Sequence, residues 1–487
     1  MLIIKRFAAV ILAAILTLAC LCGCAEEAGG GASSDPTSSA IQEPEKVFSL
    51  IYDGGFKFDP FVSTSVYDNQ LFPLVFEGLF ALDRDGSPEP RLAKSFEIKG
   101  NSVIITLETL DFSDGSPLKA ADVVASYGFA KKCKIYENRF KYISSCKADG
   151  DDVIVTFTDY PEYNLCLLDI PVVKRVDGKT YGTGEYRFES DEDGDRLIYR
   201  GKESGHTEKI GLYPYKNVTS PVYAFNKKSV CAVALDNSKN DTVFKGNYEI
   251  ASYATDYFIF IGFNVKNTFF ANAKVRKAFN LFLDRAALED GENGEFAEFV
   301  WQPVNTAFGR LSGFDLPSSV YMPDLADELL AESGVKKKNG KYQTAALTLI
   351  VNSDDAFKLS LADDFAAQLK RHGIEIKVKT LEYADYLSAL AAGEFDLYLA
   401  ETLMPQNMDV GILSSSSVNC GGAPSSSLSA IYKALASESY SSPAFDEFLE
   451  ESPLVPICYR KHCLVYTRDF ASSPTPSRYN VYSGLFD

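Results

Sequence analysis

Basic residues are scarce in this 487-residue sequence compared with acidic ones. Lysine and arginine together number 48, aspartate and glutamate 66, and the formal net charge is −18 at pH 7. Nucleic-acid binding requires a basic surface, so this balance argues against it. A strongly acidic surface favours solubility and attracts cations, although net charge alone identifies no partner.

Sequence motifs of common enzymes are also missing. The chain has no Gly-x-Ser-x-Gly, no His-Glu-x-x-His and no phosphate-binding loop. Ser144-Ser145-Cys146-Lys147 has the bare Ser-x-x-Lys spacing, but no Lys-Thr-Gly partner follows it. We therefore predict that the protein is not an enzyme, and keep hydrolysis of cell-wall peptides as the enzymatic alternative.

Histidine is rare, with three in the whole sequence. Asp191-Glu192-Asp193-Gly194-Asp195 is as acidic as a calcium loop, but it lacks the twelve-residue spacing of an EF-hand and fits a hairpin turn better. His462 and Cys463, with Cys458 nearby, could be soft-metal ligands, but alternation along a strand would divide them between two faces. We predict no metal site and no cofactor.

Cysteine forms no recognisable disulfide framework. Beyond the first 24 residues the number of cysteines is odd and their spacing irregular. We interpret them as separate, small, buried thiols. These seven residues are Cys133, Cys146, Cys166, Cys231, Cys420, Cys458 and Cys463.

The first 24 residues resemble a lipoprotein signal peptide. Lys5 and Arg6 precede an apolar run, residues 7–21, that is too short for a comfortable membrane span. Leu21-Cys22-Gly23-Cys24 resembles a lipobox, so we predict a signal peptide over 1–23 and lipid attachment to Cys24. An ordinary cleaved signal peptide is the alternative. No later run of 18 apolar residues exists, which predicts anchoring by lipid alone at the outer face of the cell membrane.

Residues 24–46 are rich in Ala, Gly, Ser and Glu and lack apolar periodicity, which predicts a flexible tether. The remaining chain is long enough for two or three domains, and an aromatic content of 13% argues for folded cores. Removal of Lys5 and Arg6 with the signal peptide would take the formal charge from −18 to about −20.

Turn residues between alternating apolar segments predict β-hairpins in the first half of the chain. The turns lie at Asp85-Gly86, Gly100-Asn101, Asp149-Gly150 and Asp193-Gly194. The second half differs, because apolar residues recur there at helical spacing. Helices are predicted over 273–288, 324–333, 359–372 and 383–392, and strands over 347–351, 374–378, 395–399 and 453–459. Alternating strands and helices predict a parallel sheet with right-handed crossovers.

Several blocks occur in the order that a known family has. They include Asp59-Pro60, Phe76-Glu77-Gly78-Leu79, Pro90-Arg91-Leu92-Ala93 and, as the most specific, Phe112-Ser113-Asp114-Gly115-Ser116-Pro117 with Asp122-Val123 after it. Gly182-Thr183-Gly184-Glu185-Tyr186 is similar to a Gly-Thr-Gly-Pro-Tyr turn of the same family. Over residues 47–487 the chain thus resembles the family 5 solute-binding proteins, the oligopeptide, dipeptide and nickel receptors of ABC importers.

The resemblance implies an α/β, periplasmic-binding-protein-like class II fold, with two α/β lobes around a cleft plus a smaller inserted lobe. It implies a first lobe from residues 47–92, 169–255 and 456–487, an inserted second lobe at 93–168 and an α/β third lobe at 256–455. Two chain crossings would form a hinge, and ligand would be enclosed between the first and third lobes.

The resemblance also implies a function. We expect a monomeric, substrate-binding lipoprotein of an ABC importer, which captures peptides or peptide-like solutes by cleft closure and delivers them to permease and ATPase subunits. A ligand-sensing lipoprotein that signals through the same fold is the alternative. The few histidines give little support for nickel bound directly by the protein.

Candidate ligand contacts follow from two departures from the family pattern. Peptide-binding members have an acid after a Trp beyond the strand at Phe395-Asp396, whereas this chain has no Trp there and Pro405 aligns near the acid. Neighbouring carboxylates could take the role, because a desolvated ammonium needs a charged partner. The other departure is Glu185, where the family usually has proline.

Arg187 could bind a ligand carboxylate, or it could balance the charges of Asp193 and Asp195. Tyr67, Tyr398 and Tyr459 are candidates for the walls of the cleft, with packing in the core as the alternative. The predicted ligand contacts are Glu401, Asp409, Tyr398, Asn407, Glu185, Arg187, Tyr67 and Tyr459. By contrast, Asp114-Gly115 fits a turn and Asp122 a helix start, so both are predicted to be structural.

Overall fold

The computed structural model describes residues 47–54, 57–217, 220–239, 243–440, 443–468 and 473–486. The predicted signal peptide, Cys24 and the tether lie outside the described residues. Within these ranges no helix has the length and apolar character needed to cross a membrane. All elements below belong to the unit formed by Val47–Asp487.

The strands of the first half are short. They are Phe48–Tyr52 (β1), Phe80–Leu82 (β2), Pro88–Pro90 (β3), Ala93–Lys99 (β4), Ser102–Leu107 (β5), Ile143–Asp149 (β6), Asp152–Phe157 (β7), Lys174–Val176 (β8), Lys179–Tyr181 (β9), Tyr186–Asp191 (β10), Gly194–Tyr199 (β11), Lys209–Pro214 (β12) and Ala232–Leu235 (β13). The later strands are Tyr248–Phe263 (β14), Ala297–Phe299 (β15), Lys337–Lys338 (β16), Lys341–Tyr342 (β17), Leu347–Asn352 (β18), Ile376–Leu381 (β19), Leu397–Leu403 (β20) and Leu454–Thr467 (β21).

Most helices lie in the second half. The α-helices are Val66–Val75 (α1), Ala120–Ala130 (α2), Pro221–Asn226 (α3), Thr268–Ala271 (α4), Ala273–Leu281 (α5), Arg285–Glu289 (α6), Pro323–Glu332 (α7), Ala356–Arg371 (α8), Tyr383–Ala392 (α9), Ser426–Ala436 (α10) and Pro443–Glu451 (α11). The predicted single helix over 273–288 is therefore two helices. Asp284 interrupts it because its side chain accepts a hydrogen bond from the Ala287 backbone N–H (3.1 Å) and caps α6.

The four predicted hairpins of the first half are confirmed. They pair β2 with β3, β4 with β5, β6 with β7 and β10 with β11, all antiparallel. The sheet β4-β5-β7-β6 is wholly antiparallel, whereas in the sheet β1-β12-β11-β10 the pair β1–β12 is parallel. Gly100, Gly150 and Gly194 have positive φ, which explains why glycine stands in these turns.

The strands of the second half, together with β13, build the largest sheet, in the order β13-β21-β14-β20-β18-β19 with β15 beside β21. Strand β18 pairs parallel with both β19 and β20, as the strand–helix alternation predicts. The predicted late strand is confirmed as β21, which is longer than expected and pairs antiparallel with β13 and β14.

Strands β14 and β21 are neighbouring interior strands of the largest sheet. Their pairing is interrupted by register shifts between Ala254 and Phe258 and between Ile259 and Phe260. Bulges of this kind bend a strand and increase its twist. The predicted lobe boundaries at 255/256 and 455/456 fall within β14 and β21, and they stay a prediction.

The hydrophobic core has two large parts. One cluster joins the buried side chains of the inserted antiparallel sheet, such as Val103 and Val155, to those of the large sheet, such as Phe260 and Leu349. A second cluster packs α1 and β1 against the C-terminal end, where Phe48 and Phe486 meet edge to face at 5.2 Å.

Candidate functional site

A cavity of about 950 Å³ lies between α1, the β2–β3 hairpin, the segment after α2, the bulged part of β14 and the C-terminal segment. Its polar and charged lining is formed by Thr64, Asn69, Glu77, Asp83, Arg84, Glu89, Arg91, Tyr136, Asn138, Arg139, Lys141, Tyr142, Asp169, Glu185, Tyr253, Thr255, Asp256, Tyr257, Gln406, His462, Ser477, Arg478, Tyr479, Asn480 and Ser483. These residues are far apart in the sequence and are brought together only by the fold.

One wall of the cavity carries a buried ion pair. The Arg139 side chain, 6% exposed, contacts Asp169 with its Nη1 atom 2.7 Å from Oδ1, and its Nη2 donates to Oδ2 at 3.2 Å. Its guanidinium also lies 4.8 Å from the ring centre of Tyr136. Burial raises the pKa of Asp169, and the charge of Arg139 offsets part of that rise.

A second ion pair joins β14 to the C-terminal segment. Arg478 Nε lies 3.1 Å from Asp256 Oδ2, and the two side chains are 5% and 9% exposed. Asn305 donates to the other oxygen of Asp256 at 3.1 Å. Burial raises the pKa of Asp256 to about 6, although both neighbours favour the charged form.

Carboxylates near the turn after Gly184 line another part of the cavity. Burial raises the pKa of Glu77, with the nearby charge of Glu185 adding to the rise and Arg91 opposing it. Glu185 is exposed and lines the cavity, so it is the one predicted ligand contact that borders this space. Gly184 is needed beside it, because an added Cβ would lie 2.6 Å from the backbone carbon of Val75.

Two predicted cleft tyrosines lie in the core. Tyr398 is 1% exposed, and its hydroxyl donates to the Val418 carbonyl at 2.7 Å. Tyr459 is 0% exposed and donates to the Pro303 carbonyl at 2.8 Å. Both rings are held within the large cluster and do not line the cavity.

The predicted carboxylate Glu401 is paired within the protein. Arg460 donates to Glu401 Oε2 from Nε at 2.8 Å and from Nη2 at 2.7 Å, and it also contacts Asp355 and Asp236. Arg460 is 1% exposed, so this buried cation needs the surrounding carboxylates for charge compensation. Glu401 does not line the cavity.

Asp409 and Asn407 hold a loop against the inserted sheet. Tyr142 donates to Asp409, whose Oδ1 accepts from the Gly411 backbone N–H at 2.8 Å. Asn407 is fully buried and donates from Nδ2 to Asn164 Oδ1 at 2.9 Å. The polar side chains of this loop therefore serve to attach it to segments that are distant in the sequence.

The remaining two predicted contacts also lie away from the cavity. Tyr67 packs its ring against Tyr215, with 4.7 Å between the ring centres. Arg187 is 40% exposed and donates to Glu189 Oε1 at 2.7 Å, so it balances charge along its own strand. The structure therefore brings Glu185 to the cavity and places the other seven predicted contacts elsewhere.

Sequence reasoning missed the residues that carry charge in the cavity, above all Arg478, Asp256 and Arg139. One signal was present, because Thr255-Asp256 stands directly before the apolar run at residues 257–263 of β14. Arg478 had no such signal, since it follows an irregular segment near the end of the chain.

Asp114-Gly115 and Asp122 lie in the predicted turn and at the predicted helix start. Asp114 Oδ1 accepts from the Ser116 backbone N–H at 2.9 Å, and Gly115 has a φ of 83°. Asp122 accepts from the Lys119 backbone N–H at 3.0 Å and completes the start of α2.

Across the described ranges, no group of three or more His, Cys, Asp or Glu side chains is placed to hold a metal ion.

Solved structures share this architecture. The nickel ABC transporter protein of Bacillus halodurans gives a TM-score of 0.71 at 17% identity, covering 91% of this chain and 100% of that one. NikZ from Campylobacter jejuni, solved with Ni(L-His), gives 0.63 at 20% identity over 91% and 98%. The oligopeptide-binding protein AppA from Bacillus subtilis, solved with a nonapeptide, gives 0.60 at 18% identity over 90% and 98%. The fold is therefore the periplasmic-binding-protein-like α/β fold of solute-binding proteins.

Sequence comparison identifies the family. AppA from Bacillus subtilis is 23% identical over 325 residues, which cover 58% of this chain and 59% of AppA. The match thus spans about three fifths of that relative's length. The family described as bacterial extracellular solute-binding proteins, family 5 Middle, matches residues 87–421, more than half of the chain. The chain belongs to the family 5 extracellular solute-binding proteins.

Proposed function

We propose that this protein is the ligand-binding subunit of an ABC importer, and that it captures peptides or peptide-like solutes and delivers them to a membrane permease. The cavity of about 950 Å³ carries the proposal, because ligand pockets commonly measure about 300–1,000 Å³. Six carboxylates and five lysine or arginine side chains line it. This near balance favours a ligand with both charges, such as a peptide with free termini.

The relatives support a peptide in preference to a bare metal ion. AppA is described as oligopeptide-binding and has been solved with a nonapeptide, whereas NikZ has been solved with Ni(L-His). The described residues offer no cluster of metal ligands, so a metal would have to enter this cleft within an organic chelate. A metal chelate is therefore the second candidate ligand.

The proposed mechanism is cleft closure on a lipid-anchored receptor. The lipid on Cys24 would hold the protein, a monomer, at the outer face of the membrane. The bulged strand pair β14–β21 would serve as the hinge about which the cleft closes. Ligand binding shifts the protein to the closed form only if the closed form binds the ligand more tightly than the open form does. A ligand-sensing lipoprotein that signals is the alternative, and loss of peptide uptake on deletion of the gene would favour the importer.

Native mass spectrometry of protein purified without refolding tests the ligand class. We expect bound masses that fragment as peptides, and we expect Glu185→Gln to reduce peptide binding because this carboxylate borders the cavity. Recovery of only a sugar would contradict the proposal, and recovery of a metal chelate would support the second candidate. If Glu185→Gln binds peptides as tightly as the wild type does, Glu185 is not part of the ligand site.

A further inference from the structure

Two exposed apolar side chains lie next to each other on one wall of the cavity. Tyr257 of β14 and Leu403 of β20 are directly paired across the antiparallel ladder, so their side chains project to the same face of the large sheet. Tyr257 is 37% exposed and Leu403 58%, and both line the cavity. This end of the sheet therefore offers apolar surface to the cavity, whereas Phe258, the next residue of β14, is buried in the core.

An imidazole ring extends this surface onto β21. The ring centre of His462 lies 5.8 Å from that of Tyr257, with the ring planes tilted by 31°. His462 also meets the ring of Tyr253 edge to face at 6.1 Å, and both of these residues line the cavity. We call Tyr257 and Leu403, with the His462 ring beside them, the apolar shelf.

Two more exposed apolar side chains border the same cavity from other elements. Val66 begins α1, and Ile135 lies in the segment after α2. Apolar side chains scattered singly over a surface need no explanation, but neighbouring ones that share a cavity mark a binding surface. Ligand pockets are lined mainly by such side chains, with a small number of polar groups that orient the ligand.

The occupant of the apolar shelf must also suit the charges of the cavity, whose acidic and basic side chains are nearly balanced. A wholly apolar solute would remove water from those charges and offer them no partner, which is costly. A peptide meets both requirements, because its termini are charged and its side chains can be apolar.

We propose that the apolar shelf binds a large apolar side chain of the ligand, aromatic or branched aliphatic, and so makes the site selective for peptides that carry one. This selectivity deepens the proposed function and rests on it for the peptide nature of the ligand. Burial of the ligand side chain against Tyr257 and Leu403 removes apolar surface of both partners from water, which is the source of the preference.

Leu403→Ala tests the apolar shelf without opening the core, because most of this side chain is already exposed. Leu387→Ala is the matched control, since Leu387 is an exposed leucine on α9 that does not line the cavity. Tyr257→Ala repeats the comparison with an aromatic residue, and Tyr383→Ala on α9 is its control. All variants are made in the mature full-length protein, and thermal unfolding checks that each is folded at the assay temperature.

The first probe is a mixture of serine peptides of three to nine residues with free termini, compared with the peptide mixture in which one serine of each is replaced by phenylalanine or leucine. Equilibrium dialysis with mass-spectrometric detection measures each peptide separately. We expect the wild type and both controls to bind the best substituted peptide at least about tenfold more tightly than its all-serine parent. Leu403→Ala and Tyr257→Ala should reduce this preference about threefold to tenfold and leave the affinity for the parent unchanged.

Two results of this titration would overturn the apolar shelf and leave the peptide function standing. One is an all-serine peptide that binds the wild type as tightly as every substituted one. The other is a preference that is equal in the shelf variants and in their controls.

A second probe separates failure of the apolar shelf from failure of the peptide assignment. If no peptide binds, the proposed peptide function falls, and the neutral fluorescent compound N-phenyl-1-naphthylamine decides on the shelf. Binding by the wild type and both controls, weakened at least about threefold in Leu403→Ala and Tyr257→Ala, supports an apolar ligand surface at this place. No binding by the wild type, or the same affinity in all five proteins, overturns it.

Discussion

Asp256 shows how one residue of the cleft depends on its surroundings. In contact with water, its carboxyl group would have the ordinary pKa of an aspartate. Here burial raises the pKa to about 6, because it outweighs the contacts with Arg478 and Asn305 that favour the charged form. The consequence is a pH-dependent contribution to stability whose sign is opposite to that of an ordinary paired carboxylate.

The raised pKa predicts that Asp256 contributes most to stability in acid. An unfolded aspartate has a pKa of about 3.9, so between pH 4 and 6 the folded state keeps a proton that the unfolded state releases. The stabilisation is complete below about pH 4 and is lost as the pH rises through about 6. We expect the difference in unfolding free energy between the wild type and Asp256→Asn to fall by about 2–3 kcal/mol from pH 4 to pH 7 in urea titrations. A difference independent of pH would contradict this.

Glu401 provides a second prediction at the residue scale, because its contacts with Arg460 indicate a structural role. Glu401→Gln should lower the unfolding free energy by about 1–3 kcal/mol and leave ligand affinity unchanged. Urea unfolding and titration with the peptide mixture measure the two effects on the same sample. Weaker ligand binding at unchanged stability would instead return Glu401 to the ligand site.

At the scale of elements, β14 and β20 are in contact through a glycine and a tyrosine that lie opposite each other. Gly262 lies directly opposite Tyr398, and the tyrosine ring covers the surface that glycine leaves bare. The same ring sends its hydroxyl to the Val418 carbonyl and accepts from the Cys420 backbone N–H at 3.1 Å, which holds the following loop on the sheet.

This packing predicts opposite effects for two glycine substitutions. Gly262→Ala should destabilise the protein by about 1–3 kcal/mol or more, because the new Cβ would lie 2.1 Å from the Tyr398 ring. Gly128→Ala in α2 is the control, since an added Cβ meets nothing within 4 Å and the helix should gain about 0.5–1 kcal/mol. Thermal and urea unfolding measure both, and equal effects would contradict this account.

The elements were also the most predictable level. The Asp-Gly and Gly-Asn turns correctly predicted four hairpins because positive-φ glycine is a local requirement, whereas the β8–β9 hairpin at Asp177-Gly178 was missed. The parallel part of the large sheet followed from the alternation of strands and helices. The break at Asp284 was missed, because apolar residues keep helical spacing across it and only the capping side chain marks the end.

At the scale of the whole molecule, β14 and β21 link the two large core clusters. Phe258–Phe263 and Leu454–Tyr459 contribute to the first cluster, whereas Tyr253 and Leu464 belong to the second. A strand that is shared in this way transmits the loss of one cluster to the other. We therefore expect the described unit to unfold as one cooperative body.

Cysteine labelling tests that expectation. Cys166 and Cys458 lie in the first cluster and Cys231 in the second. Cys463 lies in a third, smaller cluster with Ile51 and Val233, and all four cysteines are buried. Burial raises the pKa of the Cys166 thiol to about 12, which suppresses the reactive thiolate further. Iodoacetamide labelling resolved by peptide mass should show these four reacting over one urea transition, with the part-buried Cys133 reacting earlier. Two separate transitions would contradict shared cooperativity.

The sequence alone determined what depends on neighbouring residues or on the order of motifs. Hairpins, most helices, the parallel strands and membership of the family 5 solute-binding proteins belong to this group. The lipid anchor at Cys24 stays a prediction from sequence.

Only the tertiary structure decided which polar residues face the cavity. Glu401, Asp409 and Tyr398 stand close together in the sequence, but Arg460, Tyr142 and the core engage their side chains. Asp256 and Arg478 are separated by more than two hundred residues and meet at 3.1 Å because β14 and the C-terminal segment border the same cleft. The direction in which a side chain points depends on contact partners that are distant in the sequence. The local sequence pattern therefore determines the helices and strands, whereas tertiary packing determines which side chains line the cavity.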